Sequence, residues 1–242
     1  MLCLKSNIYL CRYYAVIMIS AKECALVFDM DGVIVENHEW HFRAWLEYCR
    51  RHELQLSEDE FYTRIFGGTN HDLLIRLFGN TLTEGDIQRM GEEKEAVYRE
   101  MYGPHVVPVQ GVVDFIRSAR SEGYTIALAT SAPVSNVSFT LGHTGLEGMF
   151  DVIVESSQVT HGKPHPEIYL RSASLLRLEP RQCVVFEDSL PGIESAEAAG
   201  CKVIGVATTL PAARIAHAGH VINDFSGYRD IITRISAWYP AK

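Results

Sequence analysis

The sequence lacks any run long and apolar enough to cross a bilayer as a helix, which takes about 20 apolar residues. Residues 8–19 come nearest, but they are short and broken by Arg12. Lys5 ahead of that run resembles the start of an export signal; Arg12 interrupts it, and no good cleavage site follows. Met18, just before the first apolar strand pattern, offers another start, and residues 1–22 are read as an extension or a mis-assigned start. Positive charge is also scarce: 22 Lys and Arg stand against 30 Asp and Glu, a formal net charge of -8. Broad attraction to nucleic acid or an anionic membrane is thereby disfavoured, and any anion must be met by a local positive site. The six cysteines, at 3, 11, 24, 49, 183 and 201, form no C-x-x-C pair. That spacing argues against a zinc site or a disulfide scaffold, and it fits free thiols in a reducing, cytoplasmic compartment. Internal repeats, low-complexity tracts and charge blocks are absent as well.

What is present is the material of a sizeable core. The chain has 242 residues, 47% hydrophobic and 10% aromatic, enough for one large domain or one domain with a small companion. Past residue 20, short apolar runs alternate with amphipathic stretches, the pattern of a parallel α/β sheet. Strands are expected at 24–28, 125–129, 152–154, 182–186, 202–206 and 220–222. Helices are expected before Gly123 and at 167–176, 193–199 and 228–238. One spacing breaks the rhythm. Roughly 100 residues separate Asp31 from Thr130, where a strand-helix-strand unit takes about 30. The excess is helical in pattern, at 38–51, 72–78 and 86–102, with a capping-box sequence at Ser57-Glu58-Asp59-Glu60. Residues 38–104 are therefore read as a helical cap inserted into a core made of 23–37 and 105–242. The cap would hang over the C-terminal edge of the sheet, where open α/β folds bind ligands.

Four short segments follow four expected strands, so their side chains can meet at one edge. Asp29-Met30-Asp31-Gly32-Val33 places two carboxylates two residues apart, and strand side chains repeat every second residue. Two acids together are costly without a cation. Thr130 and Ser131 put hydroxyls and exposed N–H groups where a phosphate oxygen could bind. Lys163 stands in a loop stiffened by Pro164 and Pro166, and a lysine fixed beside acids is a counter-charge for them and for a bound anion. Glu187 and Asp188 add two more carboxylates, an all-oxygen donor set that suits Mg²⁺. Each segment alone has a plain structural explanation: a polar turn, a helix cap or a solvated charge. Their combination is far more specific.

In that order, the four segments resemble the motifs of the haloacid dehalogenase superfamily, over about residues 23 to 236. The context of Gly162-Lys163-Pro164 and Glu187-Asp188-Ser189 is similar to the branch holding β-phosphoglucomutase and many sugar-phosphate phosphatases. The resemblance implies a Rossmann-like parallel sheet with an inserted helical cap, and a monomer by default. It implies an aspartyl-phosphate on Asp29, with Asp31 as acid and base, Thr130 holding phosphoryl oxygens and Lys163 neutralising charge. Mg²⁺ would be held by Asp29, the Asp31 carbonyl and Asp188, with Glu187 a direct or outer ligand. The substrate would be a small phosphorylated metabolite, a sugar or polyol phosphate, contacted by Ser131, His41, Gly68, Asn70 and Lys94. His41 and Lys94 match mutase positions. Asn70 does not: the mutase has an arginine there for a second phosphate, and an amide cannot supply that charge. Phosphatase is thus preferred to mutase. The second aspartate and the cap argue against a phospho-acceptor signalling domain, and the intact motifs argue against a non-catalytic binding protein.

Overall fold

The first strand, β1 (Ala25–Phe28), has every residue buried, as a central strand covered on both faces must. In this computed structural model, residues 24–60 and 70–239 are described; the extension at 1–22 and Gly68 lie outside them. The described residues form a six-stranded sheet that also contains β2 (Thr125–Ala129), β3 (Val152–Val154), β4 (Cys183–Glu187), β5 (Lys202–Val206) and β6 (His220–Ile222). The order is β3-β2-β1-β4-β5-β6, and every pairing is parallel. The sheet is the Rossmann-like fold expected from the sequence.

Alternation along β1 divides the core into two layers. Leu26 and Phe28 pack toward Phe115, Phe186 and Phe225, with the Phe28 and Phe186 rings stacked at 4.6 Å. Helices α5 (Val112–Ser121), α6 (Val134–Thr144) and α9 (Tyr228–Trp238) contribute to this layer. Ala25 and Val27 face the other layer, with Tyr169 of α7 (Glu167–Leu176) and Ile193 and Ala196 of α8 (Leu190–Ala199). Helix α8 begins three residues before the expected 193. Ser189 Oγ accepts the Gly192 N–H at 3.2 Å, and Pro191 in the first turn has no N–H to leave unpaired.

Between β1 and α5 stand α1 (His38–Arg51), the short α2 (Glu58–Glu60), α3 (Asn70–Phe78) and α4 (Glu84–Tyr102). They have an apolar cluster of their own, with Trp45, Tyr48, Leu73, Leu74, Ile87 and Met90. Helix α4 starts at 84 because Thr83 and Asp86 form a reciprocal capping box. Among the described residues, no helix is long and apolar enough to cross a membrane.

The sheet order reverses between β1 and β4, so the loops leaving these two strands diverge. A crevice opens at their C-terminal ends, the usual ligand position in such sheets.

Candidate active site

Asp29 is the first residue beyond β1, and its N–H still donates to the Phe186 carbonyl at 3.0 Å. The ladder thus fixes the backbone of a carboxylate that is only 7% exposed. Lys163 Nζ donates to Asp29 Oδ1 at 2.6 Å and to Glu187 Oε1 at 2.5 Å. Tyr169, from α7, donates to the same Glu187 oxygen at 2.6 Å. The other Glu187 oxygen accepts from Ser189 Oγ and the Asp188 N–H, both at 3.1 Å. Glu187 is therefore saturated by protein donors and clamps Lys163 from behind.

Two glycines make this packing possible. Gly32 has φ +79°, and a Cβ there would lie 2.0 Å from Asp188 Oδ2. A Cβ on Gly192 would lie 2.0 Å from the Glu187 carboxylate. The loop after β1 also rests on the loop after β5, where Thr208 Oγ1 donates to the Gly32 carbonyl at 2.5 Å.

Asp29, Glu187 and Asp188 each bring a carboxylate oxygen within 4.8 Å of the others. Burial pushes the Asp29 carboxyl well above the usual range; Lys163 opposes this, while Glu187, Asp188 and Asp31 add to it. Burial, reinforced by Glu187, also pushes Asp188 up to about 7. Lys163 stays charged despite its burial because Asp29 and Glu187 face it. One ammonium among three buried carboxylates leaves a deficit of positive charge. With Glu187 committed, Asp29 and Asp188 remain to offer oxygens to the cavity, a hard donor set that fits Mg²⁺.

Asp31 points to the helical side of the same cavity. Asn37 Nδ2 donates to Asp31 Oδ1 at 2.6 Å and to the Tyr98 hydroxyl at 2.7 Å. His41 Nε2 lies 3.8 Å from Asp31 Oδ2, and its ring stacks on Tyr98 at 4.0 Å. Burial and then Lys94 lower the His41 pKa, so the ring is neutral at pH 7. Its Nδ1 can accept from Lys94 Nζ at 3.4 Å. Lys94, 2% exposed, donates to Glu95 Oε1 at 2.6 Å. Glu95 also accepts from Asn70 at 2.7 Å and from Asn136 of α6 at 2.7 Å. A continuous polar chain thus runs from Asp31 through α1 and α4 to α6.

The cavity measures about 470 Å³, within the range of small-molecule sites. Its lining brings together Asp29, Asp31, Thr130, Ser131, Lys163 and Asp188 with His41, Asn70 and Lys94. Glu187 stands behind Lys163 instead. Thr130 is buried, and its Oγ1 accepts the Ala132 N–H at 3.1 Å, which leaves its O–H to donate.

A family model described as haloacid dehalogenase-like hydrolase matches residues 26–206. The chain belongs to this family. A phosphorylated carbohydrates phosphatase of Thermotoga maritima is 35% identical over 191 residues, 77% of this chain and 86% of the relative. A β-phosphoglucomutase of Bacillus subtilis is 28% identical, covering 77% of this chain and 84% of the relative. Among solved structures, a family IA haloacid dehalogenase-like hydrolase from Entamoeba histolytica superposes with a TM-score of 0.79 at 27% identity. That match covers 90% of this chain and 99% of the other.

In this haloacid dehalogenase-like hydrolase the structure also places at the site residues that sequence reasoning passes over. Thr208 and Thr209 follow β5 as Thr130 and Ser131 follow β2, a signal that was available. Asn37, which the sequence already marks as standing where the mutase pattern has threonine, is 1% exposed beside Asp31. Glu95, Asn136 and Arg214 gain their places only by tertiary packing.

Proposed function

We propose that the protein is a Mg²⁺-dependent phosphatase of a small phosphorylated carbohydrate, working through an aspartyl-phosphate on Asp29. The observation that carries this reading is one cavity shared by two carboxylates in opposite settings. Asp29 is buried against Lys163, while Asp31 is half-exposed and held by Asn37. That division suits a nucleophile and a general acid. The phosphatase name of the Thermotoga relative supports the same assignment.

In the first step an Asp29 oxygen forms a bond to phosphorus, and the bond from phosphorus to the leaving oxygen breaks. The leaving oxygen keeps that electron pair and takes the proton of Asp31. In the second, water attacks phosphorus, Asp31 accepts the water proton, and the Asp29 carboxylate is released. Asn37 holds Asp31 in place for both transfers. Thr130 donates its free O–H to a phosphoryl oxygen, and Lys163 keeps Asp29 oriented and offsets charge. Asp29, Asp188 and the Asp31 carbonyl would hold Mg²⁺, with Glu187 in support; the ion supplies charge neutralisation between nucleophile and phosphate.

The helices of 38–104 act as a cap over the core of 23–37 and 105–242. Ser131, His41, Asn70 and Lys94 contact the rest of the substrate. Asn70 is already bonded to Glu95 and brings no charge to the cavity.

The test is phosphate release from a panel of sugar and polyol phosphates, with Mg²⁺ and with EDTA. Mg²⁺-dependent release is expected. Conversion of β-glucose 1-phosphate to glucose 6-phosphate, primed by a bisphosphate and without net release, would instead assign a mutase.

A further inference from the structure

Among the described residues, the side chains of Lys94, Lys163 and Arg214 supply the permanent positive charge of the cavity wall. Lys163 is held between Asp29 and Glu187, and Lys94 is buried against Glu95. His41 is kept neutral by burial and by Lys94. Arg214 differs from all three. Its side chain is exposed and makes no hydrogen bond or ion pair with a described residue. It closes the turn Ala212–Arg214 between β5 and β6, close to Thr209 and Leu210 on the cavity wall.

The backbone beneath Arg214 is anchored on both sides. Upstream, Thr208 is bonded to the Gly32 carbonyl, in the loop that carries the catalytic carboxylates. Downstream, Ile215 and Ala218 are buried in the core layer of α7 and α8. A guanidinium is thus offered from a fixed turn, with its donors uncommitted to any described residue, at the wall of a site whose carboxylates are Asp29, Asp31, Asp188 and Glu95. The protein as a whole carries a net charge of -8. Among the described residues of the wall, Arg214 is where an extra negative group on a substrate would meet a positive charge not already paired with a carboxylate. The cavity, at about 470 Å³, has room beyond a phosphoryl group, and a guanidinium matches carboxylate and phosphate oxygens in a planar, two-point manner.

We propose that Arg214 is a subsite for a second anionic group, so the preferred substrates are phosphorylated carbohydrates carrying another carboxylate or phosphate away from the scissile one. This inference rests on the phosphatase reading and narrows its substrate class.

The experiment compares kcat/KM for matched pairs: glucose 6-phosphate with 6-phosphogluconate, and fructose 1-phosphate with fructose 1,6-bisphosphate. The native enzyme is expected to favour an acidic member. In Arg214→Ala that preference should fall roughly 10- to 100-fold, the worth of one charge-assisted contact, and the loss should appear in KM. Arg214→Lys should restore part of it. The two pairs separate a carboxylate-binding subsite from a phosphate-binding one. Turnover by the native enzyme without an acidic preference, or a preference unchanged in Arg214→Ala, overturns the subsite alone. If the native enzyme hydrolyses no phosphate ester in a wider panel, the phosphatase reading falls and the subsite with it.

Discussion

Replacing Glu95 by glutamine should destabilise the protein by about 3 kcal/mol, although the change keeps the side chain's shape. The carboxylate is 4% exposed and accepts from Lys94, Asn70 and Asn136, joining α3, α4 and α6. Burial alone would raise its pKa; the charge of Lys94, followed by His41 and the hydrogen bonds from Lys94 and Asn70, pulls it from 4.5 to about 2. A carboxyl so depressed contributes about 3 kcal/mol of folding stability. Breaking a buried ion pair by removing one partner costs a similar 3–5 kcal/mol, because the other charge is stranded. The pH dependence has a definite sign. The contribution is complete above the unfolded value near 4.5 and is lost as pH falls toward 2. Urea unfolding of the native protein and of Glu95→Gln, at pH 7 and at intervals down to pH 3, measures both effects. The variant should be weaker at neutral pH, and the gap should narrow on acidification. Lys94→Met combined with Glu95→Gln should recover part of the loss, since no ammonium is then left without its carboxylate. A loss under about 1 kcal/mol, or a gap that does not narrow in acid, would refute the view that Glu95 carries its charge in the folded protein.

Asp29→Asn should lower phosphate release more than about a thousandfold while the circular dichroism spectrum is retained; substantial Mg²⁺-dependent turnover would remove Asp29 as nucleophile. Asp31→Asn should cost about 10²- to 10⁴-fold in kcat, and a near-normal rate would end its acid and base role. Gly192→Ala should cost about 1–3 kcal/mol in thermal unfolding, because its new methyl meets the Glu187 carboxylate. It should also lower kcat by displacing the clamp on Lys163, and an unchanged kcat would show the clamp to be dispensable. Asp188→Asn should raise the Mg²⁺ concentration for half-maximal activity more than about tenfold; an unshifted Mg²⁺ titration would place the ion elsewhere.

The sequence by itself determines the sheet and the reactive edge. Asp29, Thr130, Lys163 and Asp188 are legible because three of them directly follow apolar strands of a parallel sheet, and such strands all end at the same edge. Lys163 is legible through the stiff loop between Pro164 and the acids it must neutralise. The helical insertion is legible as surplus length with a period near 3.6. Tertiary structure alone decides which charges are spent and which are available. Lys94, expected to contact the substrate, stands in the run Glu92-Glu93-Lys94-Glu95, where packing against α6 buries Lys94 and Glu95 and brings Asn136 to them. The same helix leaves Glu93 at the surface beside His52. Asn70, expected to face the substrate freely, lines the cavity with its amide engaged by Glu95. Arg214, in an unremarkable stretch between two strands, reaches the cavity wall because the turn after β5 folds over the same edge. Local patterns of apolar residues specify elements and strand ends, which depend on near neighbours in the chain. Burial and charge pairing depend on contacts between segments far apart in sequence, and those are set only when the helices dock on the sheet.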